Sequence, residues 1–198
     1  MERDLLAALM RGELATLRCE ADGSVRADAP APSALLPGSF NPLHDGHSAL
    51  ASVASLRLGA PVAYELSLAN VDKPDLDAVE VSRRLAAFRG VAPVWITRAA
   101  TFERKAELFP GCAFVVGFDT AIRLVDAKYY GNDGAVRDAC LRNLIARRCR
   151  VLVGGRRVGE AFRVWDGEAI APEFRELFVA LGEGEFRVDR SSTELRSK

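Results

Sequence analysis

From Ala34 onward the chain alternates short apolar runs with longer amphipathic stretches, and this alternation narrows its folds more than any other feature. The apolar runs are Ala34 to Pro37, Val62 to Leu68, Val94 to Thr97, Ala113 to Val116, Arg150 to Val153 and Phe186 to Val188. Each is short, apolar on both alternating sides, and bounded by polar or turn-forming residues, as a strand buried on both faces requires. Helical patterns lie between them, at about Gly46 to Leu58, Leu76 to Phe88, Phe102 to Phe109, Asp119 to Asp126 and Asp133 to Arg147. In the last of these, Val136, Cys140 and Leu144 recur every four residues, with Leu141 and Ile145 beside them. Gly90 stands where a helix C-terminal glycine would follow the second helix. Strands alternating with helices imply an α/β fold, a Rossmann-like doubly wound parallel sheet with helices on both faces. In such sheets ligands bind at the carboxyl ends of the strands, near the point where the strand order reverses.

Residues 1 to 33 read differently. Residues 3 to 12 place Leu5, Leu6, Leu9 and Met10 on one helical face, and Ala15 to Asp28 alternates around a turn at Ala21-Asp-Gly-Ser24. With Ala29-Pro-Ala-Pro-Ser33 as a linker, this segment is expected to be a small N-terminal appendage to a main domain spanning 34–198.

Formal charge is zero, which excludes a global electrostatic footprint for nucleic acid or an anionic membrane. No apolar run approaches the roughly 18 to 20 residues of a membrane span. The opening Met-Glu-Arg-Asp carries acids and no apolar core, so a secretory leader is not expected there. Cys19, Cys112, Cys140 and Cys149 form no C-x-x-C pair, and two of them lie in apolar surroundings, which fits buried, reduced thiols in the cytosol better than disulfides or zinc. Only four of the 27 basic residues are lysines, which makes each lysine more informative.

Both histidines of the chain lie in Gly38-Ser-Phe-Asn-Pro-Leu-His-Asp-Gly-His47, directly after the first apolar run and at the start of a helix. Glycines that admit close backbone approach, together with the positive end of a helix dipole, suit a polyphosphate. His44 and His47 can donate hydrogen bonds to phosphate oxygens without a fixed charge. Two other readings stand beside this one: a pair of histidines that merely caps the helix, and a His-x-x-His metal pair with Asp45. No Gly-Lys-Ser/Thr follows, so the loop is not a Walker A loop. At the other end, Ser191-Ser-Thr-Glu194 has capping-box spacing, yet so few residues follow it that a helix there gains little from a cap. The amides and hydroxyls of Ser191, Ser192 and Thr193, with Arg196, suit an anion better.

These residues resemble a family. Gly38 to His47 is similar to the signature of the nucleotidylyltransferase superfamily, in its nicotinamide-nucleotide adenylyltransferase-like branch, and Arg190-Ser-Ser-Thr-Glu-Leu-Arg196 resembles that branch's C-terminal motif. Asn41 departs from the aspartate that many bacterial relatives carry. Val115-Val-Gly-Phe-Asp119 resembles the family's Gly-x-Asp segment, and Lys128-Tyr-Tyr130 a Lys/Trp-Tyr stretch downstream of it. Asp119 is otherwise an ordinary helix cap, and the tyrosines otherwise packed rings.

The resemblance implies transfer of a nucleotidyl group from ATP to a phosphorylated small-molecule acceptor, most directly nicotinamide mononucleotide. His44, His47 and Arg196 are its implied catalytic residues. Gly38, Ser39, Phe40, Asn41, Gly46, Gly117, Asp119, Ser191, Ser192 and Thr193 would line the nucleotide. Lys73, Lys128 and Arg156 are weaker candidates for substrate contact. Magnesium would arrive with the nucleotide, with no dedicated metal site. No nucleic acid or membrane partner is implied, and a homo-oligomer is left open. A cytidylyltransferase, a pantetheine-phosphate adenylyltransferase and a nucleotide-binding regulator share the same fold. A class I aminoacyl-tRNA synthetase carries a similar histidine motif, but this chain lacks the length and the lysine-rich second signature.

Overall fold

The computed structural model describes residues 2–69, 71, 74–158 and 161–187. Its centre is an eight-stranded sheet assembled from β1 (Thr16–Cys19), β2 (Val25–Arg26), β3 (Ala34–Pro37), β4 (Ala63–Ser67), β5 (Val94–Thr97), β6 (Ala113–Gly117), β7 (Arg150–Gly154) and β10 (Phe178–Ala180). The spatial order is β10-β7-β6-β3-β4-β5-β1-β2. The run from β10 to β5 is parallel, while β1 pairs antiparallel with both β5 and β2. A separate two-stranded hairpin, β8 (Arg156–Val158) with β9 (Ala161–Arg163), follows β7.

The strands are apolar on both sides because helices cover both faces. Neighbouring residues along a strand point to opposite faces, and the core divides accordingly. Leu35, Trp95, Phe114 and Val151 pack on one side with residues of α4 (Phe102–Leu108), α5 (Phe118–Val125) and α6 (Gly134–Ala146). Leu36, Ile96, Val115 and Leu152 pack on the other with α1 (Glu2–Met10), α2 (Asp45–Leu58) and α3 (Ala78–Ala86). Helix starts are set by side-chain caps, which satisfy amides that have no partner within the helix. Asp77 accepts from the Glu80 amide, Thr101 from Arg104, and Asp133 from Ala135 and Val136.

Five of the six expected strands form. The expected strand at Phe186 to Val188 does not: Phe186 and Arg187 are not in a strand, and Val188 lies outside the described residues. The Phe186 ring is buried in the second core against Gly154, so its apolarity reflects packing and not extended pairing. The last parallel strand is instead β10, which leaves a 3₁₀ turn at Pro172–Leu177 and pairs with β7 through Phe178↔Val151.

The N-terminal helix and hairpin form where expected, but they do not stand apart. Leu9 and Leu17 are fully buried in the same core as Leu36 and Leu66, and β1 extends the sheet beyond β5. Residue 33 therefore marks no boundary in the packing. Among the described residues no helix is long and apolar enough to cross a membrane.

Strand order has one consequence for function. The chain enters the parallel sheet at β3, builds β4 and β5 to one side, then returns to place β6 and β7 on the other. The reversal lies between β3 and β6, so the crevice of this fold opens at their carboxyl ends. Continuing the register Ala34↔Ala113 and Leu35↔Phe114 brings the loop after β3 beside Gly117.

Candidate functional site

The segment from Gly38 to His47 leaves β3 at that crevice. The Gly38 amide donates to the Glu65 carbonyl at 2.9 Å, extending the pairing one residue past the strand. A Cβ on Gly38 would lie 2.7 Å from the Phe40 ring, so the position needs glycine. Phe40 itself has φ of 44°, a conformation that non-glycine residues rarely hold unless packing compels it. Its ring supplies that packing: it is 1% exposed and meets His47, Tyr64 and Phe88 edge-on at 5.1 to 5.5 Å between centroids. The Asn41-Pro42 peptide is cis.

Two arginines of α3 hold the loop from outside. Arg83 donates to Asn41 Oδ1 at 2.7 Å and Arg84 to the Ser39 carbonyl at 2.8 Å. Glu80 pairs with both guanidiniums, and they hold its carboxyl down at about 2. Sequence reasoning missed this clamp. A glutamate followed three and four residues later by arginines is the usual pattern of a solvated helix face, and nothing in it points 40 residues back along the chain.

The histidines begin α2 in a reciprocal cap. His44 Nδ1 accepts from the Gly46 amide at 3.1 Å, and His47 Nδ1 accepts from the His44 amide at 3.3 Å. A nitrogen that accepts carries no proton, so each neutral ring holds its proton on Nε2. The two ring centroids are 3.8 Å apart and tilted by 31°. Burial pushes His47 down to about 4, with the neighbouring His44 adding to the shift. His44 is also lowered by burial, against a smaller opposing pull from Asp45. Near neutral pH the pair is uncharged, with the proton of each ring on Nε2.

Beyond β6, Gly117 caps α5 with no side-chain hydrogen bond. Asp119 is therefore not the N-cap; it sits in the first turn, largely exposed, and pairs with Arg156 on β8. The structure thus joins these two candidates to each other. It does not join Lys128 to the histidine loop. That lysine is exposed, pairs with Asp126 at 2.8 Å and lies over the Tyr129 ring at 5.0 Å. Lys73, Ser191, Ser192, Thr193 and Arg196 lie outside the described residues.

A cleft of about 520 Å³ opens beside the loop, with Ser39, Thr101, Phe102, Glu103, Arg123 and Tyr129 among its walls. Behind it runs a buried polar network. Lys105 Nζ donates to both Glu65 carboxylate oxygens at 2.9 and 2.8 Å and to the Ala99 carbonyl at 2.7 Å, while Thr97 donates to Glu65 at 2.6 Å. Ser67 also donates to the Ala99 carbonyl, at 2.9 Å. The network therefore fixes the turn that starts the Ala100–Glu103 wall. Its sequence signal was the scarcity of lysine: Lys105 is one of the four.

Comparison with protein-family models matches none of them to this chain, and comparison with curated proteins likewise gives no match.

Proposed function

We propose that this protein is a nucleotidylyltransferase that transfers an adenylyl group from ATP to a phosphorylated acceptor, with nicotinamide mononucleotide as the leading acceptor. The observation that carries this reading is the pair of neutral imidazoles, each with its proton on Nε2, at the N-terminus of α2 where the sheet order reverses. Helix amides and neutral imidazoles gathered at one crevice suit a polyphosphate.

In this reading an oxygen of the acceptor phosphate attacks the α-phosphorus of ATP. A new P–O bond forms, the bond to the bridging oxygen of the β-phosphate breaks, and its electron pair leaves with pyrophosphate. Such a step needs alignment and charge stabilisation more than a covalent intermediate. His44 and His47 donate to the α- and β-phosphate oxygens, with His47 favouring the leaving pyrophosphate. The Arg83–Arg84 clamp and the buried Phe40 hold the loop so that this geometry needs little reorganisation. Arg196 with Ser191, Ser192 and Thr193 is proposed for the β- and γ-phosphates, and the cleft beside Ser39 for the acceptor. Among the described residues no three imidazoles, thiols or carboxylates stand together as a cation cage. Magnesium in this reading travels with the phosphates, which suit it better than protein ligands.

The test is pyrophosphate release with ATP or CTP crossed against nicotinamide mononucleotide, phosphopantetheine and glycerol phosphate. Release with ATP and the mononucleotide alone is the expected result. Release only with CTP, or only with phosphopantetheine, moves the protein to another substrate on the same fold. Nucleotide binding with no pyrophosphate from any pair overturns the enzyme reading.

A further inference from the structure

The cleft beside Ser39 carries a charge pattern of its own. Glu103, in the first turn of α4, lines it, and its carboxylate accepts from Asn143 Nδ2 and from Cys140 Sγ, the latter at 3.7 Å. Among the described residues no arginine or lysine pairs with Glu103. The adjacent Arg104 turns away to Glu107 at 2.8 Å. Burial first, and the Glu103 charge second, push the Cys140 thiol up, so it remains a donor to that carboxylate. The opposite charge on the cleft wall is Arg123, whose guanidinium lies 5.8 Å from the Tyr129 ring centroid. Phe102 and Tyr129 add aromatic surface to the same cleft.

A carboxylate hydrogen-bonded only to neutral side chains, a separate guanidinium and flat aromatic walls together define a complementary ligand. It has a planar ring, an anionic phosphate for the guanidinium, and a donor for the carboxylate. We infer that Glu103 is a specificity-determining residue, selecting acceptors whose ring bears a neutral amide and rejecting those whose ring bears a carboxylate. This rests on the acceptor reading above and narrows it. Discrimination comes mainly from repulsion, because a ligand carboxylate placed against Glu103 meets a like charge and strips a solvated anion of water.

The test measures binding of nicotinamide mononucleotide and nicotinate mononucleotide by calorimetry without ATP, and pyrophosphate release with each in its presence. The two probes are the same in shape and differ in one amide against one carboxylate. The wild-type protein is expected to bind the amide probe roughly tenfold tighter or better. Glu103→Gln keeps an oxygen for Asn143 and supplies an N–H₂ to the ligand, so the ratio is expected to fall to within about threefold, mainly by improved binding of the carboxylate probe. Preference for the carboxylate probe in the wild type overturns the inference, and this needs no variant to fold. An unchanged ratio in a folded Glu103→Gln protein overturns it as well. Amide preference without pyrophosphate release upholds the selectivity and removes adenylyl transfer. Pyrophosphate release favouring the carboxylate probe does the reverse. Binding of neither probe overturns both.

Discussion

Lys105→Met tests the buried network without reference to any activity. The lysine supplies two of the three side-chain hydrogen bonds reaching Glu65, and after its removal only the Thr97 hydroxyl remains on a carboxylate that is 0% exposed. An isolated buried charge of this kind costs about 3–5 kcal/mol when its partner is deleted. In a chain of this size that corresponds to a fall of roughly 6–20 °C in the unfolding midpoint. The double variant Glu65→Leu, Lys105→Met removes both charges and should lose less than Lys105→Met alone, although the Ala99 carbonyl still forfeits one donor. Urea unfolding at neutral pH, followed by circular dichroism, gives both values and shows whether the m-value is preserved. A loss below about 1 kcal/mol in the single variant, or a double variant as unstable as the sum of the singles, would refute the reasoning.

Further outcomes are expected at the loop. His47→Ala should lower kcat by about 10² to 10⁴-fold with the circular dichroism spectrum unchanged; near-normal turnover removes the imidazole from the chemistry. Because folding lowers His47 from its ordinary 6.5 to about 4, its neutral form supports the fold fully above pH 6.5. That support is lost as pH falls from 6.5 through about 4. His47→Asn should therefore flatten the loss of urea resistance over that window, and a wild-type slope retained by the variant counts against the shift. Gly38→Ala sets a methyl 2.7 Å from a ring that is only 1% exposed, so it should cost about 1–3 kcal/mol and displace the loop. An unaltered thermal midpoint would show that the Phe40 ring has somewhere to go.

The parts of this molecule that read well from sequence are those governed by neighbours along the chain. The apolar runs from Ala34 to Val153 became strands because their burial on both faces is written in consecutive residues. The helix start at His44 was legible for the same reason, since the cap closes within three residues. Phe186 misled because a buried ring in a turn and a buried ring in a strand have the same local signature. What stayed hidden depends on residues far apart in sequence. The Arg83–Asn41 contact spans 42 positions and the Lys105–Glu65 pair spans 40. Glu103 was unremarked because an acid in the first turn of a helix ordinarily serves the dipole; only the packing of α6 behind it turns it toward a cleft. Gly117 and Asp119 were read together, yet the cap fell to the glycine and the aspartate went to Arg156.

The first strands of the chain close off one side of the molecule. β5 is fully buried and apolar apart from Thr97, and β1 occupies its outer hydrogen-bonding row from Thr16 to Cys19. Stripped of that cover, Trp95 and Ile96 would sit on an open strand, the template on which separate chains stack into aggregates. β2, only two residues long and bearing Arg26, is a poor template for any such growth. The N-terminal segment thus protects solubility at the rim while the chemistry proposed here lies three strands inward, so damage at one need not first be felt at the other.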